Sequence, residues 1–391
     1  MKFKISIIGL GYIGLPFALL LSKKGFNVNG VDVNKKKIET LNKGKFISEE
    51  ADINKLYKLS RNNISYSTKL FNSKFYILCL PTPINKSLNC DLSFLIDGLK
   101  QISKVIKIND TIIVESTVPI GTTSYLFSLM CKLRPDLKDN FNICFSPEKA
   151  IPGNTLNEMQ NNYRIIGSNK KTFNLVRRIY SKFSKNKIYN YKIEEAEASK
   201  LIENSFRDNQ LAFSSYLDSE LKKRKLNFKK ISEICNLHPR VNLLNPSIGV
   251  GGHCIPIDPY FLNFKAHKDN MILMSRRLND KRTSSIATKL KKLIRAKKKI
   301  NICLWGLGYK PGSTDLRESP AIKIINLLKT NKFYISDPYY YLINKDSNKF
   351  KNFLSPDVAF KKCKFHIILN LKNEYLKKKF TNCQYILAED L

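Results

Sequence analysis

The run Gly249-Val250-Gly251-Gly252-His253-Cys254-Ile255-Pro256-Ile257-Asp258 places a thiol directly after a glycine-rich turn. Glycines let a backbone approach a bound ligand closely. A thiolate in such a turn is a nucleophile for an electrophilic carbon. The carboxylate of Asp258, four residues beyond Cys254, suits ordering water or holding a cation. The plainer alternative is a buried cysteine in a tight loop, the usual fate of a free thiol. Lys200 and Asn204 form a second pair, in a stretch from Glu194 to Lys225 that holds no Pro or Gly. That stretch reads as one long helix, so the two share a face. An ammonium and an amide aimed at one point stabilise an oxyanion. On spacing alone, a solvated lysine is the simpler reading.

These groups need a scaffold. Phe3 to Ile8 is an apolar run, read as a buried parallel strand. Gly9-Leu10-Gly11-Tyr12-Ile13-Gly14 follows it, and helical periodicity runs from Tyr12 to Lys24, closed by Gly25. Gly9 permits the tight turn, Gly11 lets a pyrophosphate touch backbone, and Gly14 allows close helix–strand packing. The helix start, with Tyr12 and Ile13, offers N–H groups and a positive dipole end to phosphates. A second strand, Val28 to Asp32, ends in the carboxylate expected about 20 residues on. Asp32 accepts from a ribose 2′-hydroxyl and repels a 2′-phosphate, which favours NAD over NADP. With the thiol, this predicts a dehydrogenase working through a covalent sulfur intermediate.

Further strands are expected at Phe75–Leu80, Thr111–Val114 and Asn142–Phe145, with a helix at Lys35–Leu41. Thr82 and Thr117 follow strand ends, where such sheets bind ligands. Each is equally suited to capping a helix. After the long helix, helical periodicity returns from Arg276 to Ala296. Strand and helix then alternate again: Asn301–Trp305, Gly306-Leu307-Gly308, a helix from about Ser319 to Lys329, and Phe333–Ser336 ending in Asp337. The expected class is α/β: two Rossmann-like doubly wound domains joined by a long central helix and a helical middle domain. The domains fall at 1–190 (dinucleotide-binding), 191–296 (central, helical) and 297–391 (a second Rossmann-like domain). The two α/β ends are expected to share architecture only.

Composition narrows the classes. Of 391 residues, 43% are hydrophobic, enough for a globular core. Nine cysteines with no CxxC pair argue against a zinc ribbon or disulfide framework and for a reducing compartment. The opening Met1-Lys2-Phe3-Lys4 is not a signal peptide, and the apolar run Leu15–Leu21 is too short to span a bilayer. The expectation is a soluble cytoplasmic protein, with no membrane partner and no metal. The net charge of +36 is mostly lysine and spread along the chain. Lys35-Lys36-Lys37, Lys222-Lys223-Arg224-Lys225 and Lys377-Lys378-Lys379 read as solvated helix faces, not a nucleic-acid site. A diffuse positive field that attracts an anionic substrate fits better.

Several motifs recur together in one family. Gly9-x-Gly11-x-x-Gly14, Ser116-Thr117-Val118-Pro119, Ser146-Pro147-Glu148, Lys200-Leu201-Ile202-Glu203-Asn204, Gly251-Gly252-His253-Cys254 and Lys310-Pro311 stand in order along the chain. Asp315-Leu316-Arg317-Glu318-Ser319-Pro320 completes the set. In order and spacing this chain resembles the UDP-glucose/GDP-mannose dehydrogenase family from end to end. Glu203-Asn204-Ser205-Phe206-Arg207-Asp208 and His238-Pro239-Arg240-Val241-Asn242 most resemble the branch acting on UDP-N-acetyl-D-mannosamine, which serves surface polysaccharides.

The resemblance implies oxidation of a nucleotide sugar at C6 in two hydride transfers to NAD⁺. Cys254 captures the aldehyde as a thiohemiacetal, which becomes a thioester that water hydrolyses. Lys200 favours the thiolate and, with Asn204, stabilises oxyanions. Asp258 and Thr117 position water, and Glu148 is the general base. Gly249 to Gly252 wrap the substrate's ribose and pyrophosphate, and Lys310, Arg207 and Asn242 also touch substrate. Arg317 touches the cofactor pyrophosphate, and Tyr12, Ile13, Thr82 and Thr117 line its site. Arg240 reaches a neighbouring subunit's substrate, which implies a homodimer or larger homo-oligomer. His253 is secondary, because adjacent side chains point apart.

There are departures. Pro152 stands four residues after Glu148, where the glucose-specific branch carries a second glutamate. Gly308 and Tyr309 replace a commoner alanine and phenylalanine, and Ile368-Leu369-Asn370-Leu371 lacks the usual acidic residue. Rival readings are a UDP-N-acetylglucosamine or UDP-glucose 6-dehydrogenase, a two-electron β-hydroxyacid dehydrogenase that needs no cysteine, and a basic nucleic-acid-binding protein.

Overall fold

Alternating apolar runs and amphipathic segments give parallel strands linked by helices, because a parallel pair needs a crossover. The computed structural model describes residues 3–262, 270–297, 299–330, 332–343, 350–381 and 383–391. Residues 1–202 with 260–263 form one compact unit, and 203–259 with 264–391 form another.

The first unit contains β1 (Lys4–Ile8), α1 (Gly14–Lys23), β2 (Asn27–Val31), α2 (Lys35–Asn42), α3 (Ala51–Leu59), β3 (Ile64–Ser67), β4 (Phe75–Leu78) and α4 (Ser93–Ser103). It continues with β5 (Thr111–Val114), α5 (Thr122–Leu133), β6 (Asn142–Phe145), α6 (Thr155–Asn161), β7 (Arg164–Gly167), α7 (Lys170–Tyr180) and β8 (Ile188–Tyr191). The strands form one sheet in the order β3-β2-β1-β4-β5-β6-β7-β8. Only the β6–β7 pairing is antiparallel. Side chains alternate between two buried faces: Phe75 and Ile77 enter one apolar cluster, Tyr76 and Leu78 the other. Helices therefore cover both faces.

The long helix α8 (Ile193–Lys223) matches its expected span closely and begins in the first unit. The second unit holds the rest of it, then α9 (Phe228–Cys235). After α10 (Asp258–Phe261) come α11 (Met271–Ala296), β9 (Ile302–Trp305), α12 (Pro320–Leu328), β10 (Tyr334–Ser336) and α13 (Pro338–Ile343). The chain ends with α14 (Pro356–Lys362), β11 (Phe365–Ile368), α15 (Asn373–Lys379) and β12 (Tyr385–Leu387). The smaller sheet has the order β10-β9-β11-β12, all parallel.

Some boundaries differ from expectation. The strand begun at Phe75 stops at Leu78, because the Leu80 N–H turns to Ser116 Oγ, 2.9 Å away. Helix α1 starts at Gly14, with Tyr12 and Ile13 in the turn before it. Gly25 lies one residue past the helix cap, at φ +86°, and donates to Ser22 O while Phe26 donates to Leu21 O. That paired ending is a Schellman motif. Helix α11 begins earlier than Arg276, at Met271, because Asn270 Oδ1 caps it through Ile272 N and Leu273 N.

The two sheets share more than architecture, contrary to expectation. After β1, Gly9 (φ +95°) donates to Val31 O, and Leu10 N donates to Asp32 Oδ2 at 3.1 Å. After β9, Gly306 (φ +90°) donates to Ser336 O, and Leu307 N donates to Asp337 Oδ2 at 2.6 Å. A Cβ on Gly9 would stand 2.3 Å from Cys79 O, and one on Gly306 2.0 Å from Asn370 O. One device, a glycine turn held by the aspartate after the neighbouring strand, is used twice.

Helix α8 is fixed at its start by Glu197. This fully buried carboxylate accepts from Gly121 N at 2.6 Å and Thr123 N at 2.8 Å, the first N–H groups of α5. Burial pushes the Glu197 carboxyl up, and these N–H groups pull it back down. Glu197→Ala strands two donors. We expect the unfolding temperature of the first unit to fall by about 5–10 °C, from a loss of about 2–4 kcal/mol. Differential scanning calorimetry reads this directly, and an unchanged transition would remove Glu197 from the account.

Candidate active site

In the first unit the sheet's carboxyl edge gathers the residues expected to hold a nucleotide. Gly14 packs on Gly9 so tightly that a Cβ would meet Gly9 O at 1.8 Å. By contrast, nothing lies within 4 Å of a Cβ built on Gly11. That open space beside a bare helix start, whose N-cap Ile13 makes no side-chain cap bond, suits a diphosphate. Tyr12 is exposed next to it. Asp32 Oδ1 accepts from Asn34 N at 2.9 Å, and Oδ2 accepts from Lys37 Nζ at 3.0 Å. Burial alone would raise the Asp32 carboxyl, but the Asn34 N–H and Lys37 more than offset it, so Asp32 is held below the ordinary carboxylate range.

Lys37 is a residue that the sequence reading missed. It belongs to a run expected to be solvated, yet its ammonium is half-buried and also donates to Leu10 O at 3.2 Å. A cation one helical turn after the strand-ending aspartate was the available signal. Lys222, from another such run, is likewise engaged, with Asp218 Oδ2 at 2.9 Å.

The ends of β4 and β5 are stitched together. Ser116 Oγ donates to Leu80 O at 2.7 Å, and Thr82 Oγ1 donates to Thr117 O at 2.8 Å. Thr82 and Thr117 therefore stand side by side. Glu148, after β6, sits in a loop tied from two sides. Its Oε1 accepts from Lys149 N and Ala150 N at 2.8 and 2.9 Å, and its Oε2 accepts from Arg164 Nη2 at 2.7 Å. Glu50 holds the far end of the loop, accepting from Gly153 N at 2.9 Å and Thr155 N at 2.8 Å. Pro152 lies between these two anchors. Lys200 is buried on α8, one turn after the anchoring Glu197.

The second unit holds the thiol. Cys254 O accepts from Ile257 N at 3.0 Å and Asp258 N at 2.8 Å, so residues 254–258 make one helical turn. Asp258 is buried, and its Oδ2 accepts from Asn204 Nδ2 at 2.5 Å. The structure thus brings Asn204 and Asp258 together. Gly249, Gly251 and Gly252 are glycines for steric reasons. Cβ atoms there would meet Thr283 Oγ1 at 2.0 Å, Pro320 Cδ at 2.5 Å and Tyr309 Cε2 at 2.9 Å. Gly252 N also donates to Arg317 O at 3.3 Å, so the glycine turn lies against the Tyr309–Pro320 segment that carries Lys310.

Arg317 folds back on Asp315, with Nη2 to Oδ2 at 2.6 Å, and stays half-exposed. Burial raises Asp315, but the Arg317 fork and N–H, with His253 nearby, hold it low. His253 therefore acts on Asp315. Arg207, Arg240 and Asn242 are exposed, and Arg240 N donates to His238 Nδ1 at 3.3 Å. Asp208, next to Arg207, is fully buried against Arg276 Nη1 at 2.5 Å and Asn279 Nδ2 at 2.8 Å. Burial pushes Asp208 up to about 6 despite the guanidinium. Among the described residues no cluster of His, Cys, Asp or Glu could hold a metal. None of the described helices is long and apolar enough to cross a membrane.

Known proteins resemble this chain in sequence and fold. Three models of the UDP-glucose/GDP-mannose dehydrogenase family match: its NAD binding domain over residues 3–184, its central domain over 194–281 and its UDP binding domain over 303–390. A UDP-N-acetyl-D-mannosamine dehydrogenase of Methanocaldococcus jannaschii is 35% identical, covering 95% of this chain and 92% of its own. An NDP-N-acetyl-D-galactosaminuronic acid dehydrogenase of Ralstonia nicotianae is 34% identical over 83% of this chain and 79% of its own. The native structure of the UDP-N-acetyl-mannosamine dehydrogenase Cap5O from Staphylococcus aureus superposes with a TM-score of 0.84 at 29% identity, covering 99% of this chain and 98% of that one. A glycine loop with an acidic second strand, a thiol on a glycine turn and an Asn204–Asp258 pair thus occur in a chain matched almost end to end: it belongs to the UDP-glucose/GDP-mannose dehydrogenase family, as an NAD-dependent oxidoreductase.

Proposed function

We propose that this enzyme oxidises the C6 hydroxymethyl of UDP-N-acetyl-D-mannosamine to the carboxylate through a thioester on Cys254, for surface polysaccharide synthesis. The observation that carries this reading is the second unit's turn from Cys254 to Asp258, with Asp258 bonded to Asn204 at 2.5 Å. A thiol and an oriented carboxylate–amide pair on one turn suit capture of an aldehyde and later attack by water. The chain divides into a dinucleotide-binding domain at 1–190, a central dimerisation and catalytic domain at 191–296 and a nucleotide-sugar-binding domain at 297–391.

NAD, bound at the Gly9–Gly14 loop, supplies the hydride acceptor for both oxidations. The protein's residues do the remaining work. Asp32 accepts from the adenosine ribose. Cys254 Sγ adds to the C6 aldehyde, and the resulting oxyanion is stabilised by Lys200 and Asn204. Loss of hydride from the thiohemiacetal leaves a thioester. Asp258 and Thr117 orient the water, Glu148 takes its proton, and cleavage of the C–S bond releases carboxylate and thiolate. Covalent capture keeps the aldehyde from escaping between the two oxidations. Gly249, Gly251, Gly252, Lys310, Arg207, Arg240 and Asn242 hold the UDP-sugar, and Arg317 the cofactor pyrophosphate.

Nine free thiols suit a reducing compartment such as the cytoplasm. A homodimer is supported by exposed apolar side chains on α8 and α9: Phe206 is 61% exposed, Phe213 54% and Ile234 67%. Leu237, after α9, is 83% exposed. The second reading is another UDP-sugar. The galactosaminuronic relative favours a second N-acetylhexosamine, and Pro152 in place of a glutamate disfavours UDP-glucose.

Three measurements test this. Purified protein with UDP-N-acetyl-D-mannosamine should form two NADH per sugar, and Cys254→Ser should lower acid formation by about 10³-fold or more. Turnover with UDP-glucose alone would defeat the sugar assignment, and one NADH per substrate the covalent route. Asp32→Ala should weaken NADH binding about 10–100-fold in fluorescence titration, the worth of a charge-assisted hydrogen bond. Unaltered affinity would remove Asp32 from the cofactor site. Phe206→Glu combined with Phe213→Glu should give a monomer in sedimentation, whereas an intact oligomer would place the interface elsewhere.

A further inference from the structure

We propose that Arg164 is the positioning residue of the Glu148 carboxylate, backed by Glu115 and Tyr180. This rests on the reading of Glu148 as the base for thioester hydrolysis. Arg164 opens β7 and is buried, 3% exposed, in a strand otherwise apolar. Its Nη2 donates to Glu148 Oε2 at 2.7 Å, and its Nη1 lies 3.8 Å from Glu115 Oε1. The rings of Phe17, Tyr180 and Phe183 stand 5.6, 4.8 and 4.9 Å from the guanidinium carbon. The Tyr180 hydroxyl donates to Glu115 Oε1.

The geometry fixes what Glu148 has left to offer. A carboxylate presents about four lone-pair sites. Lys149 N and Ala150 N occupy two on Oε1, and Arg164 occupies one on Oε2. The fourth, on Oε2, is where a water proton can go, and the planar guanidinium fixes its direction. The guanidinium spans two carboxylates, with Nη2 on Glu148 and Nη1 3.8 Å from Glu115, which a point-like ammonium would not.

Stability does not explain the cluster. Apolar residues of similar volume usually do as well as a buried ion pair, or better. Here Arg164 Nε and Nη1 and Glu115 Oε2 are buried without a hydrogen-bond partner. Each such atom adds to the cost of burying the cluster.

Glu115 gives the cluster a pH dependence. It is faced by Arg164 from β7, Tyr180 from α7, Glu148 from the loop after β6, Cys144 from β6 and Cys79 from the end of β4. Burial pushes its carboxyl up to about 8, although Arg164 pulls it down. Below that pH Glu115 carries a proton and does not compete with Glu148 for the guanidinium. Above it Glu115 becomes a second anion and competes for the guanidinium. Between the ordinary carboxylate range and about 8 the native state binds the extra proton, so the Glu115 contribution to stability is lost as pH rises through that window.

The test uses the full-length enzyme with UDP-N-acetyl-D-mannosamine and NAD⁺, in stopped flow and in the steady state. Arg164→Lys should keep the rapid burst of two NADH per site and an unchanged KM. Steady-state kcat should fall about 10–100-fold, with the Cys254 thioester accumulating in intact-protein mass spectra. Equal loss of burst and turnover would overturn the positioning role. Glu148→Gln should show the same pattern. If it hydrolyses the thioester normally, the reading of Glu148 itself fails. If Glu148→Gln is slow and a folded Arg164→Lys is normal, only the role of Arg164 fails. Glu115→Gln keeps the volume and removes the competing anion, so the alkaline fall in kcat above about pH 8 should move to higher pH. An unmoved limb would overturn the part played by Glu115.

Discussion

A backbone N–H pointing at a carboxylate across the first two strands organises both α/β sheets. Leu10 N reaches Asp32, and Leu307 N reaches Asp337. Each bond fixes a glycine turn that no side chain could occupy, because the neighbouring backbone is already in the way. The two aspartates then part company. Asp337 is sealed: Tyr339 N and Tyr340 N fill its Oδ1, and burial pushes its carboxyl up. It is spent on structure. Asp32 keeps part of its surface and gains Lys37, which holds it ionised. The same turn is closed off in one sheet and left partly open to solvent in the other.

The thiol of the second unit depends on a different constraint, the space around its glycine turn. Gly249, Gly251 and Gly252 each sit where a methyl group would strike Thr283, Pro320 or Tyr309. The turn is therefore packed closely against α11, the loop before α12 and the first residue of α12, just ahead of Cys254. Helix α8 is pinned to α11 by the Asp208–Arg276–Asn279 set, one turn along from Asn204. Asn204 can then hold Asp258 without itself moving. The chemistry sits on short segments, but regular elements with buried charge fix their positions.

Much of this was legible in residue order. The glycine fingerprint, the strand-ending Asp32 and the long unbroken helix all declare themselves through local rules. So do strands β1, β4, β5 and β6, which are buried over most of their length and read as largely apolar runs. Strands β3 and β8 were not legible, since they are half-exposed edges with polar and tyrosine side chains, Ile64-Ser65-Tyr66-Ser67 and Ile188-Tyr189-Asn190-Tyr191. Strand β7 is buried but opens on an arginine. The partners of Asp32, Glu148 and Glu197 were hidden for one reason: each is a long-range hydrogen bond, and spacing carries no record of it. Lys37 lies only five residues after Asp32. It still read as one of three solvated lysines, because the fold selects which one turns inward.

The cost of burying charge separates scaffold from site in the first unit. Glu197 is buried with both oxygens satisfied by the N-terminus of α5, and its presence is explained by the joint it makes. The set of Glu115, Glu148, Arg164 and Tyr180 is buried with three polar atoms unsatisfied. Each unsatisfied atom adds to the cost of keeping the set buried. An arginine in an apolar strand costs several kcal/mol of desolvation that one good ion pair barely offsets. It also cannot be deprotonated to escape the cost. The pair therefore fixes a permanent positive charge next to a carboxylate whose neighbour changes charge near neutral pH. Such an arrangement controls the direction and charge of one carboxylate more tightly than a solvated loop could.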